Sequence, residues 1–135
     1  MKVIIVGSRS LHDYKLIEKA VAFSGWRGKI TEVVSGCAPG IDSLAIFWAT
    51  NNGIKVKKMP AEWDKLDGIP PAQIRTNSVG KQYNIKAGFE RNERMAQYVG
   101  KRGGLIAVWD SESRGTEHMI DTAEKAGIKV SVYEV

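Results

Sequence analysis

Four stretches of this chain carry residue types suited to holding an anion or a sugar: Gly7-Ser8-Arg9-Ser10, Ser35-Gly-Cys-Ala-Pro-Gly-Ile-Asp42, Arg91-Asn92 and Asp110-Ser-Glu-Ser-Arg-Gly-Thr116. In the first, a glycine lets backbone amides approach a ligand, while Ser8 and Arg9 add a hydroxyl and a guanidinium suited to phosphate. In the second, Ser35, Gly36, Cys37, Ala38, Pro39 and Gly40 form a small-residue loop that opens into a helix. Helix N-terminal amides are thereby left free to face an anion, and Asp42 can accept from a ribose hydroxyl or complement the helix dipole. In the fourth, Gly115 and Thr116 begin another helix and offer a second such terminus, with Ser113 or Thr116 as its ordinary N-cap. Neither a Walker loop nor the usual dinucleotide fingerprint is present, and no cofactor is expected.

Arg91 and Asn92 stand out by their pattern. Asn92, Met95, Ala96 and Val99 share one helical face, which points an amide among apolar groups. A buried amide without partners costs about 1–3 kcal/mol. Asn92 therefore either ties down neighbouring backbone, with the Ser35–Gly40 loop as the expected target, or touches a ligand. The expected division puts Arg91 nearer the ligand and Asn92 nearer the scaffold. Cys37 has no paired histidine in the sequence, so a nucleophilic thiol is not expected.

The elements that must position these residues alternate strand and helix from end to end, the signature of an α/β domain with a mainly parallel sheet. Strands are expected over Lys2–Gly7, Thr31–Ser35, Ile54–Lys58, Leu105–Trp109 and Ile128–Tyr133. Helices are expected over Asp13–Ser24, about Gly40–Asn51, through Asn92–Val99, and over about Thr116–Ala126. The first and fourth strands are apolar on both faces and therefore central. The third and fifth alternate apolar and polar residues, as edge strands do. Right-handed crossovers then give a Rossmann-like, three-layer, five-stranded sheet of order 3-2-1-4-5. Ligands in such sheets bind at the carboxyl ends of the strands where the order reverses, which selects the segments after strands one, two and four.

The whole chain, 1–135, suits one domain, with an irregular insertion at about 61–86 that holds Trp63, Arg75, Lys81 and Tyr83. Composition is ordinary for a globular protein, at 43% hydrophobic and 26% charged. A net charge of +5 favours anionic partners. The single cysteine and two separated histidines argue against a disulfide or a metal site. No apolar run reaches membrane-spanning length, so a cytoplasmic protein with no membrane partner is expected. Ile46 and Phe47 add apolar area to the second helix, which suits a homo-oligomer contact.

Together, Val6-Gly-Ser-Arg9, Ser35–Asp42, Arg91-Asn-Glu-Arg-Met95 and Arg114-Gly-Thr116 resemble the SLOG superfamily, and within it the YspA-type (cpYpsA-related) branch often found in phages and bacteria. The resemblance covers nearly the whole chain and is weakest over 61–86. It implies a Rossmann-like domain that binds a nucleotide or nucleotide-derived ligand, with Gly7, Ser8, Arg9, Gly36, Gly40 and Thr116 around phosphate, Asp42 and Asn92 at sugar or base, and Ser35, Arg91, Arg114 and Gly115 beside them. Two relatives define alternatives. The DprA proteins, similar over Ser35–Asp42 and Arg91–Arg94, imply a single-stranded DNA binder, which requires a continuous basic track. The LOG phosphoribohydrolases, similar around Gly115-Thr116, imply N-glycosidic hydrolysis of a nucleoside phosphate. They place their catalytic glutamate where this chain has Met119, which leaves Glu62, Glu90, Asp110 and Glu117 as the carboxylates that could activate water.

Overall fold

Two strands buried on both faces set the architecture. In β1 (Lys2–Gly7) and β6 (Gly104–Trp109), Val3–Val6 and Leu105–Val108 are almost wholly inaccessible. Successive side chains on a strand point to opposite faces, so these two strands serve two cores at once. Val3, Ile5, Ile106 and Val108 join one core with α1 (Tyr14–Ser24) and α2 (Ile41–Asn51). Ile4, Val6, Leu105 and Ala107 join the other with α3 (Ala87–Val99) and α4 (Arg114–Lys125). Burying each such side chain contributes about 1.5–3 kcal/mol. The result is a sheet between two helical layers.

The computed structural model describes residues 1–135. Its main sheet has the order β3-β2-β1-β6-β7, completed by β2 (Glu32–Ser35), β3 (Lys55–Lys58) and β7 (Lys129–Glu134), with every neighbouring pair parallel. This is the order expected from the sequence, counted over its five strands. Lys55, Lys57 and Lys58 of β3 are exposed and guard that edge. Helix ends follow the expected chemistry. Asp13 caps α1 by accepting from the Lys15 N–H at 3.0 Å, and Gly25 ends it in the left-handed conformation.

The segment expected to be irregular is partly ordered. It contains a 3-10 turn (Pro71–Gln73) and an antiparallel hairpin of β4 (Ile74–Thr76) and β5 (Gln82–Asn84). At the hairpin's turn the Asn77 side chain accepts from the Val79 and Lys81 N–H groups, at 3.0 and 2.9 Å. Strands of three residues are too short to show the alternation from which a strand is recognised. No helix is long and apolar enough to cross a membrane. Phe47 is exposed on α2, the surface expected to suit self-association.

Candidate functional site

The sheet order reverses between β1 and β6, and a crevice of about 520 Å³ opens there at the carboxyl ends of the strands. The end of β1 supplies Gly7, Ser8 and Arg9, the loop after β2 supplies Ala38, and the first turn of α2 supplies Asp42. The turn after β6 supplies Asp110, Glu112 and Ser113, and the start of α4 supplies Gly115 and Thr116. The first turns of α3 add Phe89, Arg91 and Asn92. Eight of the expected ligand residues, from stretches up to about 100 positions apart, thus converge on one cavity.

Ser8 is the least satisfied polar group in it. The residue is 1% exposed, and its Oγ makes no hydrogen bond of ordinary geometry, although it lies close enough to the Asp110 carboxylate to help hold it ionised. Such a group costs about 1–3 kcal/mol unless something completes it. The helices beside it begin differently. α2 starts at Gly40 with no side-chain cap. α4 is capped by Ser113, whose Oγ accepts from the Thr116 N–H at 3.3 Å and lies 2.9 Å from the Thr116 hydroxyl.

Four expected ligand residues do not line the cavity; three of them build its walls and the fourth faces elsewhere. Ser35 is fully buried, where its hydroxyl donates to the Asp42 carbonyl at 2.9 Å and accepts from the Cys37 N–H at 3.1 Å. Gly36 lies tightly beside Arg91 and Asp42: a Cβ there would sit 2.6 Å from Arg91 Cζ and 2.9 Å from Asp42 Oδ2. Gly40 runs under the carbonyls of Ser8 and Arg9. Arg114 faces a separate groove with Glu117 and His118.

Arg91 and Asn92 are both buried, at 8% and 4% exposure, and together they clamp the two loops. Arg91 donates to the Gly36 carbonyl at 2.5 Å and, through Nε, to Asn92 Oδ1 at 3.1 Å. The Asn92 amide nitrogen reaches the Gly115 carbonyl at 3.3 Å and His118 Nδ1 at 3.1 Å. It is therefore Arg91, and not Asn92, that pins the Ser35–Gly40 loop, while Asn92 holds the start of α4. The Asn92 contact requires His118 Nδ1 to accept, which is the neutral imidazole. Burial lowers the His118 pKa in the same sense, against the pull of Glu93 and Asp121.

The crevice carboxylates behave differently from one another. Burial pushes the Asp42 pKa up to about 6, although Arg91 and the N–H groups of Ala38 and Gly7 draw it down. Burial also lowers the Arg91 pKa, with Asp42 opposing. Asp110 is held below the usual carboxylate range because its Oδ1 accepts from the Glu112 and Ser113 N–H groups, at 2.9 and 3.0 Å. Of the four expected catalytic carboxylates, only Asp110 lines the crevice. Glu62 and Glu90 share a smaller hollow, where Glu62 lies 3.6 Å from Lys65 and Glu90 accepts from Asn84 at 2.7 Å. Glu117 faces the groove with Arg114. No group of three or more His, Cys, Asp or Glu converges to hold a metal ion.

The first half of the chain and its overall fold have counterparts among known proteins. The profile of the YspA, cpYpsA-related SLOG family matches residues 1–66. The resemblance to SLOG proteins is borne out. That match covers β1 and the Ser35–Asp42 loop, two of the segments that line the crevice. Among solved structures, DNA processing protein A (DprA) from Streptococcus pneumoniae is similar, with a TM-score of 0.59 and 23% identity. The similarity covers 96% of this chain and 48% of that one, so the chain spans about half the length of that neighbour. At that identity the likeness is one of fold. No curated protein matches the sequence.

Sequence reasoning missed Ile85, Gly88 and Phe89 as crevice residues. Trp63 stood out only as part of an insertion. The signal that could have found these residues is the shared neighbourhood of Gly88-Phe89 with Arg91-Asn92, one helical turn apart.

Proposed function

We propose that this SLOG-type domain binds a nucleotide or nucleotide-derived ligand in the crevice, with a phosphate against Ser8, Arg9 and the start of α2. The observation that carries this reading is the Ser8 hydroxyl, buried at the crevice without a well-formed hydrogen bond, beside the uncapped start of α2 and the exposed Arg9. A phosphate oxygen completes both kinds of donor and is favoured by the helix dipole. Arg9 is exposed at the cavity and free to add a charge-assisted hydrogen bond.

Single-stranded DNA binding, the reading that the DprA-like fold invites, fits the crevice less well. Its charged lining is Arg9 and Arg91 against Asp42, Asp110 and Glu112, with Arg91 already committed to Gly36. A polyanion needs a continuous basic track. Hydrolysis of an N-glycosidic bond is also less well supported. Asp110 is held as a carboxylate within its own turn, and the carboxyl of raised pKa, Asp42, accepts from backbone amides.

The test is calorimetric titration with nucleoside mono- and diphosphates, each paired with its unphosphorylated nucleoside. The phosphorylated member is expected to bind, and Arg9→Ala to weaken it about ten-fold or more while leaving the fold unchanged. Equal binding of a nucleoside and its phosphate would remove the assignment.

A further inference from the structure

The polar lining of the crevice comes from the strand ends and helix starts, whereas its large apolar side chains arrive from elsewhere. Trp63 and Ile85 belong to the segment between β3 and α3, and Phe89 to the first turn of α3. Ile85 and Phe89 are 38% and 44% exposed. Apolar side chains left half-open in a concave site mark what the site receives.

These side chains are held in place. The Trp63 ring meets Tyr83 edge-on, with centroids 6.3 Å apart, and lies over α3 so closely that a Cβ on Gly88 would be 3.2 Å from it. The Trp63 carbonyl accepts from the Asn84 N–H at 2.9 Å, and the Asn84 side chain donates to Glu90 at 2.7 Å. Ile85 donates its N–H to the Gln73 carbonyl at 2.8 Å. Phe89 stacks on His118 at 4.0 Å and 10°, which covers one ring face and leaves the other and the edge for the cavity. Little ordering remains to be done when a ligand arrives.

We infer that Trp63, Ile85 and Phe89 form the receptor for a planar base, so that the segment between β3 and α3, with the first turn of α3, is the part of the domain that holds the base. This rests on the crevice reading above and adds to it the part of the ligand that is recognised by apolar contact. Stacking on an aromatic side chain suits any base, and the two ends of a nucleotide, phosphate and base, then meet the two chemically unlike linings.

The deciding experiment compares adenosine 5′-monophosphate with ribose 5-phosphate, which lacks the base, on the full chain. The base-bearing ligand is expected to bind at least about ten-fold tighter. Trp63→Ala is expected to erase most of that advantage and to leave ribose 5-phosphate affinity unchanged. If Trp63→Ala loosens the hairpin, as circular dichroism and melting would reveal, Phe89→Leu and Ile85→Ser carry the same test. Equal affinities in the unsubstituted protein, or a full advantage in all folded variants, overturns the base receptor while leaving the phosphate site standing. Binding of neither ligand overturns the crevice reading itself, and the receptor with it.

Discussion

Gly40→Ala is expected to destabilise the chain by about 3–5 kcal/mol and to abolish binding in the crevice. Gly40 has φ +81° and ψ −130°, outside the regions that an L side chain adopts without strain. A Cβ there would stand 2.6 Å from the carbonyl oxygens of both Ser8 and Arg9. Those atoms are backbone at the end of β1, and moving them moves Ser8 and Arg9 out of register with α2. Gly53→Ala provides the control: φ is also positive, +66°, but a Cβ there would have no neighbouring atom within 4 Å. That variant is expected to lose only about 1 kcal/mol. Urea unfolding of the two variants measures the difference, and equal losses would show that contact with β1 has no part in holding the loop.

The second large effect is electrostatic and depends on pH. Asp42 has its pKa raised from 3.8 to about 6 on folding, chiefly by burial. The folded state therefore holds this proton more tightly than the unfolded chain does. Its contribution to stability is fully present below pH 3.8 and is lost as pH rises through about 6. The change between pH 4 and pH 7 corresponds to about 2 kcal/mol. Asp42→Asn removes that titration. Whatever its stability at pH 4, the variant is expected to gain on the unsubstituted protein by about this amount by pH 7. His118, lowered in pKa by burial, has the opposite sign: its contribution is present above 6.5 and lost as pH falls. It is common to both proteins and cancels in the comparison. Parallel stability curves across this range would contradict the burial of an ionised Asp42.

The sequence spoke clearly where burial was uniform. Val3–Val6 and Leu105–Val108 had to be central because an unbroken apolar run suits only a strand covered on both faces. The lysines of β3 named an edge for the opposite reason. Once the order of the sheet followed, the loops at its reversal followed too, and Gly7, Ser8, Arg9, Asp42, Asn92, Gly115 and Thr116 meet there. Individual roles were less legible. The periodicity of α3 showed that Asn92 had to be buried, but not which loop each of Arg91 and Asn92 would hold. That depends on the direction of two adjacent side chains on a helix, about 100° apart around its axis. Trp63 and Ile85 were hidden for another reason: they flank a hairpin whose strands, β4 and β5, are each only three residues long.

The Arg91–Asn92 pair explains why the crevice exists as a rigid object. Through Gly36 and Gly115, the two side chains fix the loop after β2 and the start of α4 to a third element, α3. The same helix presents Phe89 one turn earlier. Positions of phosphate-binding backbone and apolar wall are thus set by one body, which is how a site keeps a defined spacing between unlike groups.

The measurement that bears most directly on this account is the crystal structure of the chain with adenosine 5′-monophosphate. The predicted result has the phosphate accepting from Ser8 Oγ, Arg9 and the first amides of α2, with the adenine against Trp63 and Phe89. A nucleotide bound instead in the groove of Arg114 and His118, or along the lysine edge of β3, with the crevice vacant, would contradict it.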